Sequence, residues 1–209
     1  MNEYTPYLAR SIFIAALLVL GCSSGSTLGC GSSGGGDGPT VDSELLGIYQ
    51  VDRYQGSEGG CDQLMDRSGA SRLVLYSVPS ATEPDEARLV GQFCGSVDSC
   101  RDRATGSPTV INYAFFTGSD ASGWRGWGIA GQGSAGEDCV FEVQTHVLTS
   151  PSDKAITIDT RQVETTFPAA VEDGATQATC SAGAAIDSIT DDSPCKALFS
   201  LGATFEAAL

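Results

Sequence analysis

The sequence contains little positive charge and a single histidine. Its 209 residues include 11 Lys and Arg against 26 Asp and Glu, which gives a formal net charge of −15. A surface of this sign repels phosphate backbones and anionic lipid headgroups, which argues against nucleic-acid binding and electrostatic membrane docking. Structural zinc sites need several Cys or His ligands, whereas this chain has one imidazole, His146, and no Cys-x-x-Cys pair. We therefore expect neither a metal nor a cofactor.

The sequence also lacks an apolar run long enough to cross a membrane. Its longest such run covers residues 12–20. As a helix this run would be about 14 Å long, against a hydrocarbon core of about 30 Å. A short apolar run that follows a polar start ending in Arg10 predicts a cleaved export signal rather than a permanent span.

The residues at the end of this run carry a recognisable motif, Val19-Leu20-Gly21-Cys22. It resembles the lipobox of bacterial lipoprotein precursors, in which an aliphatic, a variable apolar and a small residue precede a cysteine. The resemblance implies that residues 1–21 are a signal peptide removed by a dedicated peptidase and that Cys22 carries a diacylglyceryl group. Because Asp after the cysteine would resemble the inner-membrane retention signal, Ser23 indicates the outer membrane. The body would then face the periplasm or the cell exterior.

Two alternatives stay open at this end of the chain. An ordinary secretory signal could be cut at a small-residue site, with Cys22 merely nearby. A second copy of the pattern, Thr27-Leu28-Gly29-Cys30, lies farther from the apolar run. Residues 22–40 are nearly all Ser and Gly, a composition that predicts a flexible tether. One folded domain is expected over residues 41–209.

The body is predicted to be mainly β. Its segments combine β-branched or aromatic residues with period-two alternation, and Gly, Pro, Ser or Asp clusters separate them. The short connections leave little room for parallel crossovers, so about eight strands should form an antiparallel meander, either a barrel or a sandwich. Short helices are expected at 97–103 and 182–189. The predicted strands are 45–51, 72–78, 87–93, 109–116, 124–130, 139–149, 155–167 and 196–206.

The start of the first predicted strand carries a second resemblance. Leu46-Gly47-Ile48-Tyr49 is similar to the Gly-x-aromatic opening of calycin barrels, a group that includes the lipocalins. Lipocalins usually have Trp at the position of Tyr49. The resemblance implies a barrel, and a calycin-like barrel would hold a small apolar ligand.

The cysteines predict three disulfides within the body. An even number of cysteines in an exported domain indicates a disulfide framework. Fifteen pairings are open. The expected set joins Cys180 to Cys195, Cys94 to Cys100 and Cys61 to Cys139. Cys30 is left over, either free or paired between molecules.

The predicted strand 139–149 has one apolar and one polar face. Phe141, Val143 and Val147 alternate with Glu142 and with the remaining polar residues. This is the pattern of an antiparallel strand with one face on the core and one in solvent. The polar face includes His146, which is therefore expected to be a surface residue.

Four aromatic residues of neighbouring segments are explained by core packing, or alternatively by an aromatic binding surface or lumen: Tyr113, Phe115, Trp124 and Trp127.

Together these patterns predict a lipid-anchored envelope protein with a non-enzymatic binding or structural role and an unidentified partner. A calycin-like carrier is the alternative, and a hydrolase whose carboxylates converge only in the fold is a further one. An apolar lumen would favour carriage, and two carboxyl groups facing each other in a cleft would favour hydrolysis. A filled core would favour a scaffold or adhesion role.

Overall fold

The computed structural model describes most of the predicted body. The described residues are 40–57, 60–69, 71–80, 86–106, 111–135, 138–152, 154–169, 180–190 and 192–209. The predicted signal peptide, Cys22, Cys30 and the predicted tether up to residue 39 lie outside them. No helix in the described ranges is long and apolar enough to cross a membrane.

Strands dominate the described chain, and two short helices interrupt them. The first helix begins with a capping box between Ser96 and Ser99. In chain order the elements are β1 (Gly47–Gly56), β2 (Met65–Asp66), β3 (Arg72–Pro79), β4 (Ala87–Cys94), α1 (Val97–Thr105), β5 (Tyr113–Ser119), β6 (Gly123–Ala135), β7 (Asp138–Ser152), β8 (Ala155–Pro168), α2 (Ala182–Asp187) and β9 (Cys195–Ala207).

Eight of these strands close into a barrel. β1 pairs with β3, and each strand from β3 to β8 pairs antiparallel with the next one along the chain. β9 pairs back onto β1 from Gly56↔Phe199 to Ile48↔Ala207, which closes the ring. β2 is an extra two-residue strand beside the end of β1. The predicted antiparallel β fold is confirmed, and of its two architectures the chain adopts the barrel.

The barrel encloses a packed hydrophobic core. Residues that alternate along the strands point inward and form one cluster, in which the side chains of Leu73, Phe115 and Leu201 are fully buried. Eight strands enclose an interior that side chains can fill. The other buried members of the cluster are Val41, Leu45, Tyr49, Leu75, Leu89, Tyr113, Trp124, Leu148, Ile156, Ile158 and Ala203.

Each helix covers an apolar patch on the outside of the barrel. Val74, Tyr76 and Val90 alternate with lumen residues and pack in a cluster with Cys100 of α1. A similar outer cluster lies under α2, where Ala185 contributes alongside residues of β7 and β8. Several strands are therefore buried on both faces. A covered outer face explains why these strands contain more apolar residues than a half-exposed sheet needs.

The end of the barrel at which β1 begins is closed by the chain that precedes it. We call it the closed end. Val41 and Leu45 are buried there, and the Tyr49 hydroxyl donates to the Leu45 carbonyl oxygen at 3.0 Å. Asp120, in the β5–β6 turn, fixes this segment by accepting hydrogen bonds from the Glu44 amide at 2.7 Å and from the Trp124 indole at 2.8 Å. Burial, with the nearby Asp120 carboxylate, raises the pKa of Tyr49 to about 12.

The opposite end, which we call the loop end, contains the three disulfides found among the described residues. One bond joins the β1–β2 connection to the first residue of β9, one joins the end of β4 to α1, and one joins β7 to the segment before α2. Their Cα–Cα distances, 5.3 to 6.0 Å, are ordinary for disulfides. The pairs are Cys61–Cys195, Cys94–Cys100 and Cys139–Cys180.

Of the expected pairings, Cys94 with Cys100 is confirmed and the other two are wrong. Cys180 was expected to pair with Cys195, its neighbour in sequence, across α2. Instead α2 packs on the outer face of β7 and β8, which brings Cys180 to Cys139. Cys195 opens β9 beside β1, and Cys61 reaches it from the connection that follows β1.

Candidate functional site

A row of polar side chains lines the inward face of β7 and β8 toward the loop end. We call these residues, Glu142, Gln144, His146, Thr160, Gln162 and Glu164, the polar ladder. They are cross-strand partners: His146 pairs with Thr160, Gln144 with Gln162 and Glu142 with Glu164. The Gln162 amide donates to Glu142 at 3.0 Å, and Lys196 forms a 2.9 Å ion pair with Glu164. This hydrogen bonding and ion pairing offset the repulsion between two carboxylates placed directly opposite each other.

His146 is a buried residue, not the surface residue that its strand pattern predicted. Its side chain is 2% exposed. Nδ1 lies 3.0 Å from the Thr160 hydroxyl oxygen, and the ring makes an edge contact with Tyr113 at a centroid distance of 5.2 Å. Burial lowers the pKa of His146 to about 4, so the imidazole is neutral at pH 7. The expectation failed because the polar face of β7 points into the lumen.

The four aromatic residues singled out in the sequence do not form one surface. Tyr113 and Phe115 stack inside the barrel at 6.4 Å, and Trp124 is buried toward the closed end. Trp127 lies on the outer face of β6, where it stacks on Phe116 at 5.0 Å. Core packing therefore accounts for three of them, while Trp127 belongs to the exterior.

A groove crosses the outside of the barrel where β7, β8 and β9 run side by side. We call it the outer groove. Its volume is about 370 Å³, within the range of small-molecule sites. Leu64, from the β1–β2 connection, forms part of its lining and is 41% exposed. The lining is Leu64, Thr145, Val147, Asp159, Thr160, Arg161, Leu198, Phe199 and Ser200; of these, Thr160 also belongs to the polar ladder of the inward face.

The outer groove combines aliphatic side chains with a small number of oriented polar groups. The Ser200 hydroxyl donates to Asp159 Oδ1 at 2.7 Å, and Ser200 is only 7% exposed. The Arg161 guanidinium donates to the Ser193 carbonyl oxygen at 2.7 Å. Asp159 and Arg161 are two residues apart on one strand, so they share the outward face. Apolar contact with a few fixed polar groups is the usual composition of a ligand site.

The groove and the only imidazole lie on opposite faces of the barrel wall. Val147 lines the groove, whereas the adjacent residue His146 points into the lumen. The Ser200 hydroxyl therefore has a carboxylate partner but no histidine within its face of the sheet. A Ser-His-Asp site requires the base to contact the serine. The arrangement can orient a ligand, and it does not assemble that triad.

Sequence reasoning missed the outer groove. Its polar pair, Asp159 and Ser200, is separated by 41 residues and becomes adjacent only through the register of β8 and β9. The available signal was weak: polar and aliphatic residues recur at period two on each of the three strands, as in Thr145 and Val147. Nothing in that alternation indicates which outward faces stay uncovered.

The fold and this groove define a class of structure, a disulfide-bonded antiparallel barrel with a packed lumen and a small external cleft. Comparison with protein-family models, with curated proteins and with solved structures found no match. In the part of the chain that the structure describes, no three His, Cys, Asp or Glu residues are grouped so that they could hold a metal ion.

Proposed function

We propose that the protein is a lipid-anchored protein of the bacterial cell envelope with a non-enzymatic binding role. The anchor rests on Val19-Leu20-Gly21-Cys22 and the apolar run before it. Three disulfides at one end of the barrel support an oxidising compartment outside the cytoplasm. The observation that carries the binding role is the outer groove, a cleft of about 370 Å³ with an oriented carboxylate.

The geometry favours binding at the outer groove over carriage in the lumen. The centre of the barrel is occupied by side chains such as Leu75, Leu148 and Ile158, which are 0 to 1% exposed. A calycin-like carrier needs space at this position for an apolar ligand. The barrel topology supports that alternative, but the packing of the lumen supports a ligand on the outside.

One observation supports the hydrolase alternative. Glu142 and Glu164 are direct cross-strand partners on the inward face, so two carboxylates lie on one surface of the sheet. Each has a different protein partner, since Gln162 donates to Glu142 and Lys196 pairs with Glu164. A carboxylate pair for glycoside hydrolysis must flank a substrate bond. These engaged side chains support a structural role at the loop end, and so the binding proposal is preferred.

The anchor is tested by feeding an alkyne-tagged fatty acid to bacteria that produce the full chain. We expect the label on the wild-type protein and on Cys30→Ala, and its loss from Cys22→Ala, because only the thiol next to the apolar run is the acceptor. Cys30→Ala is the matched control, since Cys30 also follows Leu-Gly. The proposal fails if Cys22→Ala keeps the label, or if Cys30→Ala loses it.

Native mass spectrometry of the detergent-extracted protein tests carriage against binding on the outside. We expect no retained apolar molecule beyond the covalent lipid, because the lumen is filled by the protein's own side chains. The denatured mass should lie six hydrogen atoms below that of the reduced chain, as three disulfides require. A mass excess that disappears on denaturation would contradict the expectation and favour the carrier function.

A further inference from the structure

We infer that the outer groove binds a small amphiphilic cation, a primary ammonium group on a short aliphatic stem. The inference names the ligand class for the binding role proposed above and rests on it. Val147, Leu198 and Leu64 supply aliphatic surface, and Asp159 supplies the charge. The ligand would lay its stem against these side chains and direct its ammonium at the carboxylate.

The apolar part of the site comes from three separate elements. Val147 is on β7 and Leu198 on β9, and both flank the β8 residues of the groove. Leu64 belongs to the β1–β2 connection, close to the residue Cys61 that a disulfide ties to β9. Each aliphatic side chain remains partly exposed. Covering this surface with a ligand stem releases water at about 25 cal/mol per Å² of apolar area.

The charged part of the site is the Asp159 carboxylate, which a hydrogen bond orients. Ser200 donates to Oδ1 of Asp159, which holds the carboxylate in place and leaves Oδ2 for a further donor. Among the described residues Asp159 makes no ion pair. Arg161, which lies on the same face and also lines the groove, donates to the Ser193 carbonyl oxygen and has a further interaction within the protein. The net charge of −15 also attracts cations to the surface as a whole.

These features distinguish a cation from other amphiphiles of the same size. A neutral alcohol would gain the aliphatic contact but not the charge-assisted hydrogen bond, which is about twice as strong as a neutral one. A carboxylate would meet the Asp159 charge at short range and the negative field of the protein, and the guanidinium of Arg161, the cation of the same groove, is already engaged with the Ser193 carbonyl oxygen. The ammonium therefore gains from both parts of the groove.

The test compares three probes that contain five carbon atoms each: 1-pentylamine, 1-pentanol and pentanoate. Each is titrated into the full chain while the methyl resonances of Val147 and Leu198 are followed by nuclear magnetic resonance. We expect pentylamine to bind five- to ten-fold more tightly than pentanol, with pentanoate weakest. The inference would be overturned if pentanol bound as tightly as pentylamine or if pentanoate bound more tightly than pentylamine. It would also be overturned if no probe changed the chemical shifts of the two methyl groups.

Two variants with the same charge change assign the effect to the groove. Asp159→Asn should lower the affinity for pentylamine five- to ten-fold and leave the affinity for pentanol unchanged. Asp52→Asn is the matched control. Asp52 also accepts a hydrogen bond from a hydroxyl group of β9, that of Thr204, but it does not line the groove. Equal effects of the two variants would show that net charge alone recruits the amine and would overturn the site. Lipid labelling is read separately, so failure here is distinguishable from failure of the anchor.

Discussion

Replacing Cys61 and Cys195 with alanine will lower the free energy of unfolding by about 5 kcal/mol. The bond links residues 134 apart in sequence, and closing a loop of that length in the unfolded chain accounts for a loss of this size. It also joins the β1–β2 connection to the first residue of β9, next to the pairing that closes the barrel. Urea unfolding of the oxidised wild type and the double variant measures the difference.

The matched control is the double replacement of Cys94 and Cys100. This bond spans six residues, for which loop closure predicts a loss of about 2 kcal/mol. Both of its cysteines are buried, so their truncation adds a packing loss that works against the contrast. A larger loss for Cys61 and Cys195 would therefore identify loop closure as the cause. Equal losses in the two double variants would contradict it.

Local patterns in the sequence were sufficient to predict most of the strands. The segment 72–78 was expected as a strand, and β3 is Arg72–Pro79; 155–167 was expected, and β8 is Ala155–Pro168. Period-two alternation is a property of neighbouring residues, so it is readable without knowledge of the fold. The capped helix at residues 97–103 is similar, since a capping box involves residues three apart. Among the described strands, only the two-residue β2 had no comparable signal.

The sequence pattern could not predict which face of each strand points into the lumen and which points outward. In β7 the apolar residues Phe141 and Val143 pack outside under α2, while His146 points into the lumen. Alternation shows that two faces differ, but an outer helix can bury an apolar face as well as the lumen can. The polar face is accommodated inside because Thr160 and Tyr113 contact the imidazole.

Two of the disulfide pairings and the outer groove could not be predicted for a shared reason, because they depend on contacts between distant segments. Cys139 meets Cys180 only after β8 has returned beside β7, and Ser200 meets Asp159 only in the register of β8 with β9. Fifteen pairings of six cysteines are equally compatible with composition. Sequence proximity favoured Cys180 with Cys195, and the packing of α2 outweighed it.

The stability of the fold is expected to decrease by about 3 kcal/mol between pH 6.5 and pH 4 because of His146. Burial lowers the pKa of this imidazole from 6.5 to about 4 in the folded protein. Below pH 6.5 the unfolded chain binds a proton that the folded chain does not accept until about pH 4. The contribution is therefore complete above pH 6.5 and is lost as the pH falls through that window.

The variant His146→Gln isolates this contribution from the carboxylates that titrate in the same range. Glutamine keeps a polar group beside Thr160 but has no proton to gain, so the variant should lose less stability than the wild type between pH 6.5 and pH 4. Glu206→Gln is the control, because it removes the exposed ion pair with Arg72 and leaves the imidazole unchanged. Urea unfolding at three values of pH in that window measures the free energy of unfolding of all three proteins. Parallel curves for wild type and His146→Gln would mean that the buried imidazole is not the group that sets the acid limit. A flatter curve for His146→Gln alone would assign that limit to the one histidine inside the barrel.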